Sequence, residues 1–149
     1  MSNDISPDVD AAFAGFDPQV RDLLMQCRAL VFDVGAEVEG VGHINETLKW
    51  GQPAYLTDAT GAGSTIRLAP EGSGSGTASL RPAMFVHCAT DLIEQFKTFY
   101  PNAFEYQGKR ALIISNDVVS VSAELRHCIA LALTYKLRKR AGKMRISAT

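Results

Sequence analysis

The residues of this chain best equipped for chemistry are Lys49, Trp50, Gln52, Tyr55, Arg67 and His87, a set of cationic, amide and aromatic side chains with Glu46 close by in sequence. Cations beside aromatic rings suit a carboxylate or phosphate, because Lys and Arg donate charge-assisted hydrogen bonds and a ring supplies a flat apolar wall. Lys49, Tyr55, Arg67 and His87 are expected to share one sheet face and to form a pocket for a small anionic ligand or a carboxylate of a protein partner. A second chemistry is suggested by two neighbouring pairs, His87-Cys88 and His127-Cys128. Adjacent residues point to opposite faces of a strand and diverge by about 100° on a helix, so neither pair chelates alone. A metal site, for iron among others, requires His87 and His127 to converge with a carboxylate or thiol. Otherwise Cys27, Cys88 and Cys128 read as core thiols with the histidines at polar edges. Glu46, Asp58, Asp91 and Glu105 sit in no catalytic motif, and no pattern calls for a cofactor.

The elements that must position these groups follow from periodicity. Asp17-Pro18 is an N-cap followed by an N1 proline, and Val20, Leu24, Cys27, Val31 and Val34 repeat at helical spacing up to about Gly35. From Thr47 to Thr57 a strand alternates, with Leu48, Trp50, Ala54 and Leu56 on the core face. Lys49, Gly51 and Tyr55 fall on the other face; Gly51 and Pro53 are unusual inside a strand and point to a bulge, and a phase shift there is the alternative that turns Tyr55 inward. Ser64 to Ala69 pairs with this run as a hairpin. Glu71 to Ser79, rich in Gly and Ser, reads as a loop. Ala83 to Cys88 is apolar on both parities, the mark of a central strand with both faces covered, which places helices on more than one side of the sheet. Thr90 opens a short helix carrying Leu92, Ile93 and Phe96. Phe104 to Tyr106 and Arg110 to Ser115 flank a Gly-containing turn. A long last helix starts near Ser120 to Ser122 and frays among basic residues. The order predicts one α+β domain over 1–149, with a mainly antiparallel sheet of about five strands flanked by an N-terminal, a short middle and a long C-terminal helix.

Composition bounds the function classes. With 149 residues, 46% hydrophobic and 21% charged, the chain has ordinary globular make-up. No apolar run approaches a bilayer-spanning length, and the acidic first residues lack a signal-peptide pattern, so no membrane partner and a cytoplasmic location are expected. Three cysteines without paired spacing fit a reducing compartment. The net charge of −1 hides a basic C-terminal tail, Lys136 to Arg145 within the last stretch of chain. Such a tail meets nucleic-acid phosphate or, more simply, complements a helix C-terminus.

Taken together, Glu46-Thr47-Leu48-Lys49-Trp50-Gly51-Gln52-Pro53-Ala54-Tyr55, Thr65-Ile66-Arg67, Phe85-Val86-His87-Cys88 and Gly108-Lys109-Arg110-Ala111 resemble the YdhG-like family, domain of unknown function 1801. The likeness spans residues 10–140, and Trp-Gly-x-Pro-x-Tyr is its most specific mark. It implies an α+β domain with an antiparallel sheet and little biochemistry. Some members are described as frataxin-like iron handlers, a role associated with acidic surface ligands, whereas the carboxylates here are scattered.

Overall fold

The computed structural model describes residues 4–71, 80–115 and 117–148, with backbone alone for 143–148. Two helices lead, α1 (Pro7–Ala14) and α2 (Pro18–Glu37), the second capped by Asp17, whose carboxylate accepts from the Gln19 N–H at 3.2 Å. The strands β1 (Asn45–Lys49), β2 (Gln52–Leu56), β3 (Ile66–Glu71) and β4 (Arg81–Phe85) follow, then α3 (Leu92–Phe99). The hairpin β5 (Glu105–Gln107) and β6 (Ala111–Ile113) precedes α4 (Ser122–Leu133) and α5 (Tyr135–Ala148). All pairings are antiparallel, in the order β1-β2-β3-β4-β6-β5, so the α+β expectation holds with six strands among the described residues. The sixth arises because the expected 47–57 strand is itself a hairpin.

One sheet face holds the main core, where Tyr55, Ile66, Leu68, Met84 and Leu112 meet Phe13, Leu24, Val31, Phe96, Ile129 and Leu133 from the helices. On the other, Ala69, Ala83, Phe85, Ala111 and Ile113 form a smaller cluster with Phe16 packed against it. The doubly apolar β4 is therefore central and buried on both faces. The expectation that helices cover both faces is corrected. Every buried helical side chain of the described core joins the first cluster, and small alanines with one phenylalanine and one isoleucine close the second.

The expected single C-terminal helix is broken at Thr134, which has φ −115° and ψ 10°. The reason lies in another part of the chain. The loop before β3 docks at the break, where the Ser64 N–H donates to the Ala132 carbonyl at 2.9 Å. The Lys136 and Leu137 N–H groups donate to the Ala62 carbonyl at 2.9 and 3.0 Å. The loop thus satisfies backbone groups that a helix end leaves without intrahelical partners. Contact is so close that a Cβ at Gly63 would lie 2.4 Å from the Leu133 carbonyl carbon and oxygen. The basic residues that follow are partly engaged, with Arg138 donating to the Leu131 carbonyl at 2.6 Å and Arg140 to the Gly61 carbonyl at 3.3 Å. No described helix is long and apolar enough to cross a membrane. The Gly/Ser-rich stretch falls, beyond Glu71, outside the described residues.

Candidate functional site

Trp50 and Gly51 form a two-residue turn between β1 and β2, since Lys49 pairs directly with Gln52. Both turn residues have positive φ, 57° and 74°, as a type I′ hairpin demands. This corrects the expectation that Trp50 belongs to the core. At the hairpin tip its ring is 91% exposed, and the Gly51–Pro53 irregularity is a turn instead of a bulge. Left-handed backbone costs a bulky residue roughly 1–2 kcal/mol. An exposed tryptophan held there is a local conflict with no packing to compensate it.

Pairing across the turn sorts the remaining residues by face. Lys49 and Gln52 are partners, Ala54 faces Arg67, and Arg67 faces Phe85, so Lys49, Gln52 and Arg67 share the face opposite the helices. Beyond Phe85 the strand ends. The chain turns through His87 to Thr90, where the Thr90 N–H donates to the His87 carbonyl at 3.1 Å and the Thr90 hydroxyl to the same oxygen at 2.7 Å. Lys49, Trp50, Thr65, Arg67, Val86 and His87 line an open recess of about 230 Å³. Four of the six residues named from sequence thus come together, and Gln52 supports them by accepting a hydrogen bond from the Arg67 guanidinium.

Arg67 is the electrostatic centre of the recess. It is half-buried, lies 5.2 Å from the Phe85 ring centroid, and has no carboxylate partner among the described residues. Burial, with repulsion from Arg110, lowers its pKa from the ordinary arginine value. Both effects disfavour the cation, and a bound anion would offset them through charge–charge attraction. His87 adds a directed donor. Its Nδ1 accepts the Ala89 N–H at 3.0 Å, so the neutral ring carries its proton on Nε2.

Tyr55 is elsewhere, and its place in the ligand set is corrected. It is fully buried on the helix face, where its hydroxyl donates to Glu46 Oε2 at 2.7 Å. Glu46 also takes a bidentate pair from Arg28, at 2.6 Å from Nε and 2.9 Å from the second terminal nitrogen. Phe32 stacks edge-on to Tyr55 and lies 4.9 Å beneath the Arg28 guanidinium. Burial, then the Glu46 charge, pushes the Tyr55 phenol far above its usual range, so it stays protonated and keeps its bond to Glu46. The network ties α2 to the β1–β2 hairpin. A buried pair with both carboxylate oxygens occupied is a structural anchor more readily than a binding site.

The two histidines serve different surroundings. His127, on α4, meets the Tyr100 hydroxyl at 2.7 Å through Nδ1 and packs edge-on against Phe99, with ring centroids 4.6 Å apart. His87 lines the cationic recess. Among the described residues no group of three His, Cys, Asp or Glu side chains is arranged to hold a metal. Cys27 and Cys128 are buried as expected, and burial raises both thiols to a pKa of about 12. Cys88 is exposed, contrary to expectation, because β4 ends three residues earlier and its inward alternation stops there.

Sequence reasoning missed Thr65, Val86 and Arg110. Strand alternation puts Thr65 on the same face as Arg67, a usable signal, but Arg110 approaches only through the β4–β6 pairing. Comparison with family models, curated proteins and solved structures finds no match for this chain. The function is therefore argued from the geometry of the recess.

Proposed function

We propose that this domain, a member of the YdhG-like family on the resemblance of its motifs, binds a small anionic ligand in the recess between Lys49, Trp50, Arg67 and His87. The observation that carries the reading is Arg67: a half-buried guanidinium oriented by the neutral Gln52 amide, close to Arg110, and without a carboxylate among the described residues. A phosphate or carboxylate there gains charge-assisted bonds from Arg67, Lys49 and the His87 ring. A second reading takes the anion from an acidic side chain of a protein partner, and the exposed Trp50 indole favours it, since exposed tryptophans anchor interfaces. Free phosphate then competes with that partner for Arg67.

Calorimetric titration with inorganic phosphate at low ionic strength, on the wild type, Lys49→Ala and Arg67→Ala, tests the proposal. One charge-assisted hydrogen bond contributes about 1.5–3 kcal/mol, so Arg67→Ala is expected to weaken binding at least tenfold, with a smaller loss for exposed Lys49. Equal affinity in all three proteins, or none in the wild type, would reject the site.

A further inference from the structure

A second recess, of about 280 Å³, lies against the first and shares Thr65 and His87 with it. Its other walls are Gly63, Ser64, Thr90, Tyr135 and Lys136, brought together by the loop that docks at the α4–α5 break. Each recess alone is smaller than the roughly 300–1,000 Å³ of ordinary small-molecule sites, while the joined cleft falls inside that range.

The two halves differ in chemistry. The first gathers Lys49, Arg67 and His87 and suits a compact charge. In the second, among the described residues, the side-chain hydroxyls of Ser64, Thr65 and Tyr135 have no hydrogen-bond partner, and Lys136 forms no ion pair. Ser64 and Tyr135 keep only 7% of their surface, so their hydroxyls reach the recess from side chains that are otherwise buried. Hydroxyls without partners around a recess are suited to a ligand that itself presents hydroxyl groups, since each can donate and accept. The Gly63 contact with the Leu133 backbone holds this wall against the end of α4.

We propose that the joined cleft is one bipartite site for a sugar phosphate. The phosphate sits on Arg67, Lys49 and His87, and the hydroxylated body lies along Ser64, Thr65 and Tyr135 toward Lys136. The inference rests on the anion-binding reading above and adds the class of ligand to it. His87, common to both halves, lies where the phosphate ester joins the sugar.

The test compares inorganic phosphate with ribose 5-phosphate and glucose 6-phosphate by calorimetry. At least one sugar phosphate is expected to bind tenfold or more tightly than inorganic phosphate. Tyr135→Phe, which keeps the buried ring, and Lys136→Ala, at an exposed position, should remove most of that gain and leave the affinity for inorganic phosphate unchanged. Arg67→Ala should weaken every probe. If the sugar phosphates bind no better than phosphate, or if Tyr135→Phe and Lys136→Ala leave the gain intact, the second recess is not part of the site and simple anion binding stands alone. If inorganic phosphate does not bind the wild type, the anion reading fails and this inference with it.

Discussion

Gly63→Ala should be among the most damaging single-methyl changes available in this protein. The added Cβ would sit 2.4 Å from the carbonyl carbon and oxygen of Leu133 and 2.5 Å from its Cα, where ordinary contact begins at 3.4 Å. These are backbone atoms, so no rotamer change relieves the overlap, and the loop must retreat by about 1 Å from a close-packed neighbour. Such a retreat carries the 2.9 Å bonds from Ser64 to Ala132 and from Lys136 to Ala62 past the roughly 3.5 Å at which hydrogen bonding is lost. Two or three lost bonds at about 1 kcal/mol each, with overpacking of about 1–3 kcal/mol, predict a total loss of about 3–6 kcal/mol. For a chain of this length that corresponds to a fall in Tm of roughly 10–20 °C. Equilibrium urea unfolding followed by circular dichroism measures it, with an unchanged slope showing that the denatured state is unaffected. Gly51→Ala supplies the contrast, because its Cβ meets nothing within 4 Å and only its φ of 74° opposes the change. A Gly63→Ala loss below about 1 kcal/mol would refute the argument that this glycine is required by space.

Two further outcomes follow from the same structure. Trp50→Asn places a residue tolerant of positive φ ahead of Gly51, and should raise stability by about 1 kcal/mol in urea unfolding while weakening phosphate binding; a variant that loses stability would show that the indole contributes packing. In Ellman titration the native protein should expose one thiol, Cys88, and the denatured protein all three. Burial raises Cys27 and Cys128 to about 12, so both remain protonated and unreactive through neutral and mildly alkaline pH, and fast modification of either would contradict their placement.

Much of the fold was legible along the chain because it depends on local chemistry. Asp17-Pro18 starts α2, the helical stripe from Val20 to Val34 packs it, the doubly apolar run at 83–86 makes β4 central, and Gly108 turns the β5–β6 hairpin. The site was half legible. Lys49, Trp50, Arg67 and His87 were named from residue type and do line one recess.

The errors share one origin. Alternation counts residues along a continuous strand, and a two-residue turn at Trp50-Gly51 restarts the count, which moved Trp50 out of the core and Tyr55 away from the ligand face. Likewise the end of β4 at Phe85 released Cys88 to solvent. The sequence by itself determined the helices, most strands and the residue types able to meet an anion, since these follow from periodicity, capping and side-chain chemistry. Only the tertiary structure decided which of them face one another. Strand pairing brings Arg67 near Arg110 with no carboxylate partner among the described residues, and the docking of Gly63 at the α4–α5 break sets Tyr135 and Lys136 beside Thr65 and His87. Such contacts join residues some seventy positions apart, and no local spacing encodes them.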